Sequence, residues 1–118
     1  MNRRALGNAG EDAACRYLEA RGLTILDRNV VRPGGEIDIV ARDGETIAFV
    51  EVKRLSSDRY GSGAAAVGKT KQRRVALAAV QYAQENDWLD ERLRFDVVEV
   101  GPQGIRWIAG AFDFPEGS

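Results

Sequence analysis

Residues 36–53 constrain the fold more than any other segment: Glu-Ile-Asp-Ile-Val-Ala-Arg-Asp-Gly-Glu-Thr-Ile-Ala-Phe-Val-Glu-Val-Lys. Two β-rich runs, 36–41 and 46–53, flank Asp43-Gly44, a dipeptide that suits a two-residue hairpin turn. Such a turn sets Arg42 opposite Glu45, Ala41 opposite Thr46, Asp38 opposite Phe49 and Glu36 opposite Glu51. Side chains alternate along a strand, so one face carries Ile37, Ile39, Ala41, Ala48, Val50 and Val52. All are apolar, and this face belongs to the core. The other face carries Glu36, Asp38, Val40, Ile47, Phe49, Glu51 and Lys53. There Glu36 and Glu51 are opposed, and Asp38 lies on the diagonal from Glu51. Carboxylates this close repel, and burying them beside apolar neighbours without a counter-charge is costly. A divalent cation resolves the conflict, because hard ions take several oxygen ligands. Lys53 follows two residues after Glu51 on the same side, within reach of the same phosphate or water. On spacing alone, a solvated sheet face with Glu and Lys paired across it remains the alternative.

The chain has no histidine and one cysteine, Cys15. That excludes, within one chain, Ser-His-Asp and Cys-His catalysis, His-ligated zinc, a disulfide and a thiolate cluster. Hydrolytic chemistry would have to come from carboxylates, lysine and a hard metal. The net charge of −1 hides an asymmetry. Residues 52–74 hold seven Lys and Arg against one acid, or +6, whereas residues 84–118 hold eight acids and three bases, or −5. A basic segment in a mildly acidic chain suggests a local polyanion site, and a solvated basic face explains it equally well.

At 118 residues, 44% hydrophobic and 30% charged, the chain suits one globular domain spanning 1–118. No apolar run is long enough to span a bilayer, and no apolar signal-peptide core follows Arg3 and Arg4. A cytoplasmic location without a membrane partner is expected. Residues 8–21 read as a helix, with Asn8 as cap, Glu11 three residues later and Gly22 closing it. Strands are predicted at 23–31, 36–41, 46–53, 94–100 and 105–108, and a second helix at 69–86 with a stripe through Val75, Ala79 and Tyr82 or Ala83. Residues 55–68 read as loop, and residues 111–114 as an edge or a set of packed rings. The expected architecture is α/β, a mixed central sheet flanked by helices in the order α-β-β-β-α-β-β.

Gly35-Glu36-Ile37-Asp38 followed by Phe49-Val50-Glu51-Val52-Lys53 resembles the PD-(D/E)XK nucleases, the restriction-endonuclease and Holliday-junction-resolvase superfamily. The chain is most similar to the bacterial YraN-type family of small endonuclease-like proteins. Gly10-Glu11, Asp27-Arg28-Asn29, Ser57-Asp58-Arg59-Tyr60-Gly61, Lys71-Gln72-Arg73-Arg74 and Arg94-Phe95-Asp96-Val97-Val98 extend the likeness over nearly the whole chain. The superfamily's Pro-Asp pair is Ile37-Asp38 here. The family's usual arginine two residues after the motif lysine is replaced by Leu55, with Arg54 one position early.

The resemblance implies a restriction-endonuclease-like fold and hydrolysis of DNA phosphodiesters with Mg²⁺ or Mn²⁺, on branched or single-stranded substrates. It assigns catalysis to Asp38, Glu51 and Lys53. The metal would be held by Asp38, Glu51 and the Val52 carbonyl, with Glu36 as accessory ligand. Glu11 is a further candidate, because it shares a helix face with Ala14, Cys15 and Leu18 and some junction resolvases place an acid there. A capping role beside Asn8 accounts for Glu11 equally. Arg54, Arg59, Lys69, Lys71, Gln72, Arg73 and Arg74 are candidates for phosphate contacts, since the start of the second helix favours anions. Lys71 or Gln72 would face the site, with the arginines further out. The resolvase likeness makes a homodimer plausible. An inactive nucleic-acid-binding protein of the same fold is the main alternative. A weaker one comes from Gly63-Ala64-Ala65-Ala66-Val67-Gly68-Lys69-Thr70, which satisfies the P-loop pattern but does not directly follow a strand.

Overall fold

The computed structural model describes residues 9–57 and 67–115. Asn8, Asp58, Arg59 and residues 60–66, which include the first half of the P-loop-like segment, lie outside them. The order is α1 (Ala9–Ala20), β1 (Thr24–Arg32), β2 (Gly35–Asp43), β3 (Thr46–Arg54), α2 (Lys69–Glu85), β4 (Arg92–Gly101) and β5 (Gly104–Phe112). The predicted order is the observed one, with shifts of a few residues at the ends. β4 and β5 run longer than the sequence indicated, and β5 absorbs Ala111 and Phe112.

The five strands form one sheet in sequence order. Neighbours are antiparallel except β3 and β4, which are parallel. Parallel neighbours need a crossover, and α2 supplies it. The two helices cover opposite faces. From α1, Ala14, Cys15 and Leu18 cluster with Ile39, Ala41, Ala48, Val50 and Val98 of the sheet. From α2, Val75, Ala79 and Tyr82 cluster with Val40, Ile47, Phe49 and Phe95. Alternation along β2 and β3 therefore feeds two cores rather than one. This is why β3 reads Ile-Ala-Phe-Val without a polar interruption. No helix among the described residues is long and apolar enough to cross a membrane.

The hairpin differs from expectation by two residues. The turn is Gly44-Glu45 rather than Asp43-Gly44, and Asp43 pairs with Thr46, Val40 with Phe49 and Ile39 with Val50. Gly44 has φ +60°, which fits a turn with glycine at its first central position. Asp43 stays in the strand, where its Oδ2 lies 2.9 Å from Arg94 Nη2. A shift by two keeps the paired side chains, Ile39 to Asp43 and Thr46 to Val50, on their expected faces, and one step beyond the last pair it brings Asp38 rather than Glu36 level with Glu51.

Ile37 also departs from the expected alternation, packing with Val30, Val75 and Ala78 under α2. The cause is local. Regular β2–β3 pairing ends at Ile39 and Val50, and beyond it the Asp38 carboxylate accepts the Val52 N–H at 2.8 Å. A side chain has taken the place of the ladder, and β2 turns away. Its first residue, Gly35, then rests on α2, where a Cβ would come 1.8 Å from the Arg74 carbonyl oxygen.

Candidate active site

Where β2 parts from β3, Asp38, Glu51, Val52, Lys53, Val67 and Lys71 line a cleft of about 460 Å³. β2 delivers Asp38, β3 delivers Glu51 and Lys53, and the first turn of α2 delivers Lys71. Glu51 is 4% exposed, enclosed because its neighbours on the same face, Phe49 and Val97, are wholly buried. Lys53, one step nearer the strand end, is exposed. It lies beside the wholly buried Glu99 of β4.

The electrostatics of the cleft centre on the acids. Lys71 Nζ lies 3.5 Å from Glu51 Oε2 and 3.7 Å from Glu36 Oε1, bridging the two. Burial works to lower the Lys71 pKa, but Glu51, Asp38 and Glu36 outweigh it and hold the ammonium charged. Glu51 Oε1 is buried with no hydrogen-bond partner. Burial, then the adjacent Asp38 charge, pushes the Glu51 carboxyl up to about 8 against the pull of Lys71.

The raised value has a consequence for stability. In the unfolded chain this carboxyl titrates near 4.5, so between the two values the native state holds a proton that the unfolded chain releases. Its contribution is complete below the unfolded value, shrinks as pH rises and is lost above the folded one. Metal-free protein is therefore expected to lose stability from about pH 5 to about pH 8, by at most ~1.4 kcal/mol per pH unit. Glu51→Gln should flatten the slope. Urea unfolding at stepped pH measures both, and a level wild-type profile would contradict the assignment.

Glu11 approaches Asp38 from the α1 side. Its side chain is 13% exposed and its Oε1 is buried without a hydrogen-bond partner. Burial and then the Asp38 charge raise its pKa, while Arg28 and the Asn29 side chain lower it. Asp38 is thus the common neighbour of an acid from each side. Two buried carboxyl oxygens without hydrogen-bond partners, flanking a third acid, make a donor set suited to a hard cation, whose binding would displace the Glu51 proton. Among the described residues, no three acids are gathered closely enough to enclose an ion as they stand. Mg²⁺ does not require such a cage, since it commonly takes one or two carboxylates and keeps its waters.

The remaining candidates are distributed unevenly. Glu36 is half exposed and reaches the site only through Lys71. Gln72 does not face the cleft; its Nε2 donates to the Val67 carbonyl at 2.8 Å and ties down the entry to α2. Lys69, Arg73 and Arg74 are exposed on α2. Arg54 is exposed, with its stem against Gly10 of α1. Leu55 donates its N–H to the Val100 carbonyl at 2.8 Å and so prolongs the β3–β4 ladder. Asp96, from the quoted β4 motif, lies on the opposite face of the sheet. It accepts from Arg94, Trp107 Nε1 and the Gly110 N–H, a structural network.

Sequence reasoning missed Arg28, Asn29 and Glu99 as neighbours of the site. Glu99 was available from alternation with Phe95 and Val97. Asn29 was signalled by asparagine inside a strand, a position that residue disfavours.

A three-layer α/β domain whose mixed sheet splays at an Asp/Glu pair, with a lysine two residues on, has the restriction-endonuclease-like fold. The chain belongs to the YraN family, UPF0102, whose model, described as "Uncharacterised protein family UPF0102", matches residues 10–100. Among its relatives, a UPF0102 protein of Geobacter metallireducens is 44% identical over 117 residues, covering 96% of each chain. One of Myxococcus xanthus is 44% identical over 115 residues, covering 94% of this chain and 91% of its own. One of Hahella chejuensis is 42% identical over 111 residues, covering 91% and 89%.

Proposed function

We propose that this protein is a divalent-metal-dependent endonuclease that hydrolyses DNA phosphodiester bonds. The observation that carries the reading is the Glu51 carboxylate, buried beside Asp38 with one oxygen lacking any hydrogen-bond donor. Leaving such an oxygen unsatisfied is expensive unless a ligand completes it.

Asp38 and Glu51 would hold Mg²⁺ or Mn²⁺, with the Val52 carbonyl, Glu36 and Glu11 as further donors. A bound ion supplies charge neutralisation at the scissile phosphate and lowers the pKa of water. Lys53, exposed at the cleft wall, orients the attacking water or stabilises negative charge on the phosphate. Lys71 holds the acids' charge in check and sits where a phosphate oxygen would enter. Arg54, Lys69, Arg73 and Arg74 offer exposed cations for the phosphates on either side. Symmetric cutting of a branched substrate would call for a homodimer.

A panel of junction, flap, single-stranded and duplex DNA, each incubated with Mn²⁺ or Mg²⁺, tests the reading. Cleavage of at least one member, abolished by EDTA and weakened by salt as phosphate contacts release counterions, is expected. Intact DNA throughout the panel, or cleavage indifferent to EDTA, would overturn it.

A further inference from the structure

Among the described residues only two non-glycine residues have positive φ, Asn29 (+53°) and Asp87 (+62°). Asp87 follows the end of α2, where the left-handed conformation is ordinary. Asn29 is inside β1, where it is not. A strand residue held there is strained, and asparagine is among the residues that tolerate it best. Such strain persists only where the surroundings enforce it, and it gathers at functional sites.

The surroundings of Asn29 are specific. Its neighbours Arg28 and Val30 pair with Ile39 and Ile37 of β2, which places Asn29 alongside Asp38. A register shift between Ile25 and Asp27 precedes it, so the strand is already irregular on its approach. Arg28 Nη2 lies 2.7 Å from Asp12 Oδ1 and 3.7 Å from Glu11 Oε1, and Arg28 Nε is buried without an acceptor. The Asn29 side chain is also near enough to the Glu11 carboxylate to favour its charged form. Two consecutive β1 residues therefore address the same acid, one with an amide and one with a guanidinium, from the strand beside Asp38.

We propose that Asn29, backed by Arg28, is a positioning residue that holds the Glu11 carboxylate toward Asp38, so that α1 contributes an oxygen donor to the divalent-cation site. The proposal rests on the metal reading given above. The left-handed backbone serves to turn the amide toward Glu11, and the Arg28 guanidinium, 3.7 Å from Glu11 Oε1, steadies the carboxylate without a hydrogen bond to that oxygen.

Glycine at position 29 separates the two contributions, because it accepts the backbone conformation and removes the amide. Binding of Mn²⁺ in the absence of DNA, followed by the paramagnetic resonance of the free ion, provides a readout independent of cleavage. Asn29→Gly is expected to keep or raise the melting temperature yet weaken Mn²⁺ binding by about tenfold, the usual scale for losing a residue that orients a ligand. Asn29→Asp, which puts a like charge against Glu11, should weaken it at least as much. Glu11→Gln should weaken binding too, and adding Asn29→Gly to it should cost nothing more, since both act through one carboxylate. Wild-type affinity in Asn29→Gly, or additive losses in the double variant, overturns the positioning role alone. Absence of Mn²⁺ binding by the wild-type protein overturns the metal reading and this inference with it.

Discussion

Lys53→Met should lower Mn²⁺-dependent DNA cleavage by about a thousandfold while leaving the melting temperature almost unchanged. The size follows from removing one preorganised charge donor at a reacting phosphate, which typically costs 10²–10³-fold. The selectivity follows from where Lys53 stands. It is exposed at the end of β3, outside both hydrophobic clusters, and methionine keeps an unbranched stem of similar length without the charge. Asp38→Asn should be equally inactive, and because its amide oxygen can still accept the Val52 N–H, it should also fold. Single-turnover cleavage alongside thermal unfolding gives both quantities. Activity that survives both substitutions would place the chemistry elsewhere.

Gly35→Ala should be the most damaging single methyl in the described chain. Its Cβ would stand 1.8 Å from the Arg74 carbonyl oxygen, 2.7 Å from that carbonyl carbon and 3.3 Å from Ala78 Cβ. The first two are helix backbone, so no side chain can rotate away. β2 and α2 must separate, which loosens the packing of Val40, Ile47 and Phe49 on Val75 and Ala79. Ordinary overpacking costs about 1–3 kcal/mol, and this clash should reach or exceed the upper end, lowering the melting temperature by roughly 10 °C. Gly44→Ala is the contrasting case. It has positive φ but nothing within 4 Å, so only backbone strain, about 1 kcal/mol, is at stake. Equal losses in the two variants would show that conformation rather than contact governs Gly35.

Much of this was legible because period-two alternation survives any even change of register. Asp38, Glu51 and Lys53 could be assigned to one cleft even though the turn was placed one residue early. The turn itself was not legible. Asp-Gly favours a turn in which both residues are central, but here Asp43 is retained in β2 beside Arg94, a partner 51 residues away, and no local rule contains that contact. The bend at Asp38 escaped for a similar reason, since a side chain rather than a backbone carbonyl takes the Val52 N–H. Glu11 was recognised as inward-facing from helical spacing, whereas its neighbours Arg28 and Asn29 depend on an irregular β1 whose register shift leaves no mark in hydrophobicity. Lys71 and Gln72 were interchangeable on paper. Only the fold shows that one meets the acids and the other ties down the start of its own helix.

The strand carrying Glu51 and Lys53 is the third of five, bonded on both sides from Thr46 to Val50 and to β4 beyond. The amides of its doubly bonded stretch should therefore exchange with solvent only when the whole molecule opens, whereas the carboxylate just past it needs only to change rotamer. Assembly of the acidic cluster is thus largely completed during folding, and an arriving cation meets a scaffold whose entropy has already been surrendered.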